Sequence, residues 1–388
     1  MHPCTRLGAF FMKTLFISRN VCYTFPRATN SYDNKEIYML RTAVIGLGRI
    51  GWSYHVPQIV AHEKLSLCAV VDTSTDRLAE AKEKYGVEGY TDMMEMISAA
   101  KPNLVVICTP THLHAAQSIA AMEAGVDVFL DKPMAKDLSE CHAIQEAMER
   151  TGRKLMVYQP HRVMPETVAL KAVLAENLIG DVYMYKRYVS NYVRRNDWQA
   201  MLKYGGGMLN NYGAHYIDQA LYLLGSDEEA ENIHCIRYRM ASLGDADDVV
   251  KIVIETKSRK TIDVDINQAT KASLPLFVVY GRYGNIIHTR LSDGRPGFKV
   301  DYLQPEELKK ISLSEDLAAA GRKYAPDAAA ELPWKVKEFA VADFSKVNFY
   351  DYCYEYFSQG KESFIPVEQT IHLMSIIDTC RNQSDIFA

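Results

Sequence analysis

The sequence predicts an α/β chain in two parts: an N-terminal doubly wound parallel sheet, then a C-terminal α+β domain with a large, open, mostly antiparallel sheet. Three observations carry this reading. From Leu40 short apolar runs alternate with helical segments, the rhythm of a parallel sheet with crossover helices on both faces. The first run meets its helix through a glycine-rich turn, Gly46-Leu-Gly48-Arg-Ile-Gly51. Beyond about residue 160 the period changes to two. It is clearest in Thr261-Ile-Asp-Val-Asp-Ile266, where Ile262, Val264 and Ile266 share one face and Asp263 and Asp265 the other.

Thr42 to Gly46 reads as a strand ending in glycine, and Val56, Ile59 and Val60 give the segment after Gly51 a helical spacing. Leu65 to Val71 is a second strand, and Asp76 to Tyr85 a helix with a charged face. Asn103 to Cys108 is a third strand, Leu113 to Ala124 a helix closed by Gly125, and Val126 to Leu130 a further strand. A helix over Ser139 to Arg150 and a strand over Lys154 to Gln159 complete this part. Next comes a helix from Glu166 to Leu178 that stops at Gly180. Strands follow over Val182 to Val189, Cys235 to Ala241, Val249 to Glu255, Leu276 to Tyr280 and Asn285 to Thr289, with Gly281 and Gly284 marking a hairpin. Glu306 to Pro333 reads as a charged, alanine-rich, partly helical insertion, and a last helix begins after Pro366. The expected organisation is a leader over 1–38, a first domain over 39–159 and a second over 160–388.

A chain of 388 residues suits two domains better than one core. With 48% hydrophobic and 24% charged residues and a net charge of -4, it has no basic excess to hold a polyanion, so nucleic acid is not an expected partner. Polar residues interrupt every apolar stretch well short of the ~18–20 residues of a membrane helix, which removes the membrane as a partner. The eight cysteines form no C-x-x-C pair and sit at no metal-ligand spacing. They read as small apolar side chains in a reducing compartment, and the expected location is cytoplasmic. Met1 to Tyr32 has no acidic residue but carries Arg6, Lys13, Arg19 and Arg27, which keeps organellar import open as an alternative. The same segment lacks the periodicity of a packed element, which favours an unstructured extension with the working start at Met39.

The glycine turn fits G-x-G-x-x-G with a strand before it and a helix after it. Gly46 permits the tight turn, Gly48 lets the backbone approach a pyrophosphate, and Gly51 allows close helix packing. Asp72 ends the second strand twenty-one residues beyond Gly51, where a carboxylate accepts hydrogen bonds from an adenosine ribose. Together these mark a Rossmann dinucleotide site. The Asp72 carboxylate repels a 2'-phosphate, so NAD is expected over NADP.

Three further runs carry a resemblance. Cys108-Thr-Pro-Thr-His-Leu-His114, then Ala124-Gly-Val-Asp-Val-Phe-Leu-Asp131-Lys132-Pro133, then Gly205-Gly-Gly-Met-Leu-Asn-Asn211-Tyr-Gly-Ala-His215-Tyr-Ile-Asp218 resemble the markers of the GFO/IDH/MocA family of glucose-fructose oxidoreductase, inositol dehydrogenase and rhizopine-catabolism proteins. The resemblance runs from Leu40 to the C-terminus. It implies a Rossmann domain and an open sheet often used for oligomerisation, here into a homodimer or homotetramer. The implied activity is NAD(P)-dependent oxidation of a CH–OH group of a sugar or polyol. In the family the lysine at 132 orients the substrate hydroxyl and stabilises developing alkoxide charge, and no metal is needed. The implied cofactor contacts are Gly46, Gly48, Arg49, Ile50, Gly51, Asp72, Thr109, Pro110, His112, His114, Asp131 and Lys132. The implied substrate contacts are Lys132, His161, Arg162, Tyr192, Asn196, Trp198, Asn211 and His215. Two departures stand out: Asp131 where glutamate is usual before Lys-Pro, and Asn211 where many polyol dehydrogenases have aspartate.

Such chemistry needs a held nicotinamide, an aligned secondary hydroxyl and a group to take its proton. Lys132 follows a strand that ends at the cofactor crevice. His215 is the candidate base. Asn211 and His215 stand four residues apart in a helix expected after the Gly205 to Gly207 turn, so both should project from one face. Asn211 hydrogen-bonds but cannot offset an imidazolium charge. Metal binding by His112 and His114 is a runner-up that lacks a third ligand nearby. A non-catalytic NAD(P)-binding regulator and an NAD-dependent glycosidase remain alternatives on this fold, although a regulator has no need of both Lys132 and His215.

Overall fold

The computed structural model describes residues 39–308 and 332–387; the expected leader, and residues 309–331 of the expected insertion, lie outside the described residues. Strands β1 (Leu40–Ile45), β2 (Leu65–Val71), β3 (Gly89–Tyr90), β4 (Leu104–Ile107), β5 (Asp127–Asp131) and β6 (Leu155–Tyr158) form one sheet. Its order is β3-β2-β1-β4-β5-β6, and every pairing is parallel. Order reverses between β1 and β4, which opens a crevice at their C-terminal ends. The crossovers are helices α1 (Val56–Ala61), α2 (Thr75–Tyr85), α3 (Met93–Ala100), α4 (His114–Glu123) and α5 (Leu138–Thr151). Ser74, Asp92 and Asp137 start α2, α3 and α5 by accepting a backbone N–H three residues on. Gly86 and Gly152 end α2 and α5 in the left-handed conformation. The sequence reading had passed over β3 and α3, which are short.

The second sheet contains β7 (Val182–Ser190), β8 (Ala230–Tyr238), β9 (Val249–Thr256), β10 (Thr261–Asn267), β11 (Phe277–Gly281), β12 (Gly284–Arg290), β13 (Pro296–Tyr302), β14 (Lys335–Ala340) and β15 (Ile386–Phe387). The order is β14-β13-β12-β11-β7-β10-β9-β8-β15. It is largely antiparallel, but β7 pairs with β10, and β8 with β15, in parallel. The period of two in β10 holds: Ile262, Val264 and Ile266 are fully buried. With Tyr185, Ile252, Phe277, Val279 and Phe298 they share one core with residues of α6 (Pro165–Ala175), α7 (Ala214–Leu224) and α9 (Val367–Gln383). No helix of the described residues is long and apolar enough to cross a membrane.

One element crosses the expected division at residue 160. Helix α8 (Phe349–Gln359), which is not among the elements expected from the sequence, lies between β14 and β15 of the second sheet in sequence yet packs on the first. Phe349, Tyr350, Cys353, Tyr354 and Phe357 join Val44, Val106 and Phe129 in one buried cluster. Fully burying a side chain of this kind contributes about 1.5–3 kcal/mol, so α8 is a substantial part of the first domain's core. The core against this face of the first sheet is therefore built from two separate stretches of chain.

Candidate active site

The glycine turn leaves room where a dinucleotide needs it. Gly46 has φ +96°, and a Cβ there would sit 3.0 Å from the Cys108 carbonyl oxygen. At Gly51 a Cβ would lie 1.9 Å from the Gly46 carbonyl oxygen, so helix and turn can meet only through glycine. At Gly48 a Cβ meets nothing within 4 Å. The loop is thus closed beneath and open above, as a cradle for a pyrophosphate requires. The first turn after it, Gly51–His55, is a π-turn that runs into α1.

Asp72 lies just beyond β2 and is buried. Its Oδ2 accepts the Leu47 N–H at 2.7 Å and its Oδ1 accepts the Ser74 N–H at 2.9 Å. The carboxylate therefore ties the glycine turn to the start of α2 and keeps further lone pairs for a ribose. Arg77 stands beside it, Nη1 to Oδ2 3.3 Å, with its side chain half-exposed. These residues fit NAD, and the bound cofactor would supply the hydride acceptor.

Lys132 follows β5, and the Lys132–Pro133 bond is cis. Its Nζ donates to Asn211 Oδ1 at 2.7 Å and to the Asn211 carbonyl oxygen at 3.1 Å, linking the two halves of the molecule. Asn211 Nδ2 in turn donates to Gln199 Oε1 at 3.3 Å. The helix expected to carry both Asn211 and His215 is not uniform. Leu209–Gly213 is a π-turn, and α7 starts at Ala214. A π-turn closes on the fifth residue instead of the fourth, so the expected alignment on one α-helical face gives way to two different settings. Asn211 meets Lys132, while the His215 ring stacks on His161 at 4.1 Å between centroids. Asp247 anchors the turn: its Oδ2 accepts the Leu209 N–H at 2.8 Å, and Gly207, φ +104°, makes way for its side chain.

The electrostatics separate the candidate groups. Burial pushes Lys132 down to about 8, with Arg195 and Arg49 adding to the fall and Asp131 opposing it. Burial holds His215 well below its ordinary value, helped by the charges of Lys132 and Arg187 and by the neighbouring His161, whose protonation would compete with its own. His161 falls to about 3 through burial, Arg187 and Lys132. Both rings are neutral near pH 7. Nδ1 of His215 and Nδ1 of His161 are buried without a hydrogen-bond partner. Such a pair suits an imidazole that receives a proton or accepts from a substrate hydroxyl.

Several expected contacts find other partners. His114, expected at the nicotinamide or ribose, is buried, its Nδ1 2.9 Å from the Pro133 carbonyl oxygen and its Nε2 2.9 Å from that of Thr109. Each ring nitrogen thus faces a backbone carbonyl, and the one that carries the proton donates to it. Arg162, expected at the substrate, makes a bidentate pair with Asp218 at 2.9 and 2.6 Å and donates to Gln369, all within the interior. It is a strut between the start of α6 and α7. Asn196 is exposed and Trp198 half-buried at a short 3-10 turn, while Tyr192 is 61% exposed. His112 packs beside Tyr204, 5.0 Å between centroids. Thr109 Oγ1 donates to Gln117, and the Lys132 N–H is taken by Asp131 Oδ1 at 2.8 Å. Arg49 and Ile50 are exposed on the glycine turn, and Pro110 leads into a 3-10 turn at Thr111–Leu113. Among the described residues no cluster of three His, Cys, Asp or Glu side chains is placed to hold a metal.

Sequence reasoning missed Gln199, Arg187 and Asp247. An arginine at an inward-facing position of β7 is the one local signal that marked Arg187; Gln199 and Asp247 carry none.

Comparison with known proteins agrees with this architecture. Residues 40–159 match a family described as "Oxidoreductase family, NAD-binding Rossmann fold", and residues 167–287 match the GFO/IDH/MocA C-terminal domain. A D-glucoside 3-dehydrogenase of Escherichia coli is 28% identical over 48% of this chain and 54% of its own. A myo-inositol 2-dehydrogenase of Thermotoga maritima is 30% identical over 56% of this chain and 66% of its own. The match thus spans less than two thirds of either relative. The WlbA dehydrogenase of Bordetella pertussis, solved with NADH and UDP-GlcNAcA, superposes with a TM-score of 0.69 over 89% of this chain and 97% of its own at 18% identity, a likeness of fold. The chain, with its NAD-binding Rossmann domain and its second, largely antiparallel sheet, belongs to the GFO/IDH/MocA family of oxidoreductases.

Proposed function

We propose that the protein oxidises a secondary hydroxyl of a sugar, polyol or sugar derivative, passing hydride to the nicotinamide of NAD. The observation that supports this is the Lys132–Asn211 contact beside the neutral, buried His215–His161 pair. Lys132 holds the hydroxyl oxygen and stabilises negative charge as it develops, replacing its bond to Asn211 with one to substrate. His215 takes the hydroxyl proton at a ring nitrogen, and Asn211 orients the lysine and the sugar. Enclosure of these groups keeps water from the reacting carbon. The relatives named as inositol and glucoside dehydrogenases support the substrate class. Asp72 favours NAD over NADP, although Arg77 beside it offsets part of the repulsion of a 2'-phosphate. The uncovered face of the second sheet is the surface proposed for a homodimer or homotetramer.

The test is NADH formation across a panel of inositols, aldoses and glucosides, run in parallel with NADP. Turnover with at least one polyol or sugar, faster with NAD, is expected. Binding of NAD without turnover of any member would instead favour a regulatory role.

A further inference from the structure

The pairing of β4 with β5 ends at Ile107 and Leu130, yet the two loops that leave these strands must keep a fixed relation, because one of them carries Lys132. On its other side β5 stays paired with β6 for one more residue, Asp131 opposite Tyr158, and there that ladder also ends. The Lys132 N–H donates to the neighbouring Asp131 side chain, and Pro133 has no N–H. His114, the first residue of α4, fills this gap. It is 1% exposed, and its ring spans from the Thr109 carbonyl, in the loop after β4, to the Pro133 carbonyl, in the loop after β5. A side chain thus continues the link between neighbouring strands after their ladder has ended.

We propose that His114 is a positioning residue that staples the Lys132-Pro133 turn to the Thr109 loop and so holds the Lys132 ammonium at Asn211. The inference rests on the reading of Lys132 as a group that meets substrate. A lysine has a flexible four-carbon stem, so its ammonium is placed only if the backbone that launches it is placed. Carbonyl oxygens only accept, so the neutral ring donates to one carbonyl and the protonated ring to both. Burial lowers the pKa of His114 below its ordinary value, with Asp131 and the backbone carbonyls opposing, so near neutral pH the ring is uncharged and one of its two nitrogens donates.

The experiment reads Lys132 directly, without turnover. Acetylation of Lys132 by acetic anhydride is followed by mass spectrometry against pH in the full chain and in His114→Phe, His114→Asn and His114→Gln. In the wild type the lysine should ionise near 8, set by its enclosure and by Arg195 and Arg49 against Asp131. In His114→Phe, which keeps the ring volume but makes neither bond, the ammonium should escape to water and ionise at least about one unit higher, toward the ordinary ~10.4. Asn places its amide near the Nδ1 position and can still donate to Pro133, the bond that ties the turn to the segment running from Thr109 into α4, so it should stay close to wild type. Gln reaches toward the Thr109 carbonyl and should behave like Phe. NAD affinity, measured in the same samples, should change less than about threefold, whereas kcat should fall more than about tenfold in Phe and Gln, as for a displaced catalytic group. Wild-type ionisation of Lys132 in folded, NAD-binding His114→Phe would overturn the proposal. If the Phe variant does not fold, equal behaviour of Asn and Gln overturns it, and a shift in Gln alone upholds it. A wild-type enzyme inert to every substrate would sink the dehydrogenase reading while the labelling result on His114 stood.

Discussion

Lys132 shows how burial turns a common surface residue into a reactive group. Its ammonium is enclosed near two other cations and has one nearby carboxylate, Asp131, so it gives up its proton more easily than an exposed lysine. Lys132→Met keeps much of the stem and removes the charge. We expect NAD binding to persist and kcat to fall by ~10²- to 10⁴-fold, measured in a steady-state assay on the best substrate of the panel. His215 gives a pH signature. Its folded pKa is depressed, so the base is active above that value, and kcat/KM for oxidation should fall only on acidification well below 6.5. Asn211→Asp adds a carboxylate that favours imidazolium and should move that acid limb upward in pH, whereas His215→Ala should abolish the limb and slow turnover. A profile unchanged in both variants would remove His215 from the proton path. The motif spacing singled out Lys132, Asn211 and His215 as candidates before any coordinates, because they belong to short local runs. It did not reveal the partners of His114 and Arg162, Pro133 and Asp218, which lie 19 and 56 residues away.

At the scale of elements, α8 bears most directly on the cofactor half. Tyr350 is fully buried, and its hydroxyl lies 2.7 Å from Nδ1 of His55, in the π-turn that follows the glycine loop. His55 Nε2 has no partner, so this bond is the contact that satisfies the ring. Tyr350→Phe keeps the packing and leaves the His55 ring unsatisfied, which should destabilise the fold by about 1–3 kcal/mol in urea denaturation. An unchanged midpoint would show that His55 finds another partner. Apart from the short β3 and α3, the strands and helices of the first sheet were legible because each carries its own signals: all-apolar runs for β4 and β6, capping residues for α2 and α5. Helix α8 was not. Its sequence, Phe-Tyr-Asp-Tyr-Cys-Tyr-Glu-Tyr-Phe-Ser-Gln, is rich in aromatic residues that suit strands as well as helices, and its partners lie about 200 to 300 residues upstream.

For the whole molecule the buried neutral histidines set an acid limit. His55 is pushed down to about 4 by burial, with Asp131 opposing, and His161 to about 3 by burial, Arg187 and Lys132. Both values are below the ordinary 6.5, so the unfolded chain binds protons first as pH falls. The stability these groups contribute is complete above 6.5 and is lost as pH drops from there toward their folded values. At pH 5 the loss is on the order of 2 kcal/mol for each ring, from 1.36 kcal/mol per unit. Denaturant midpoints should therefore decline between pH 7 and 5, before most carboxylates titrate, and the decline should be shallower in His55→Leu. A flat response over that interval would mean that the rings gain water or partners when protonated.

What the sequence determined by itself is whatever rests on local spacing: the glycine turn and the strand and helix around it, Asp72 at the end of β2, the alternation in β10, and the choice of Lys132, Asn211 and His215 as candidates. These follow from backbone geometry repeated over a few residues, which a linear reading can see. The tertiary structure alone decided that α8 completes the first core, that the Asn211 segment is a π-turn held by Asp247, that Arg187 charges the surroundings of His161 and His215, and that His114 and Arg162 serve the scaffold. Each of those outcomes depends on groups that are distant in sequence and compete for the same buried space. Desolvation makes every buried polar atom seek a partner, and which partner it finds is set by packing between elements, which no local pattern encodes.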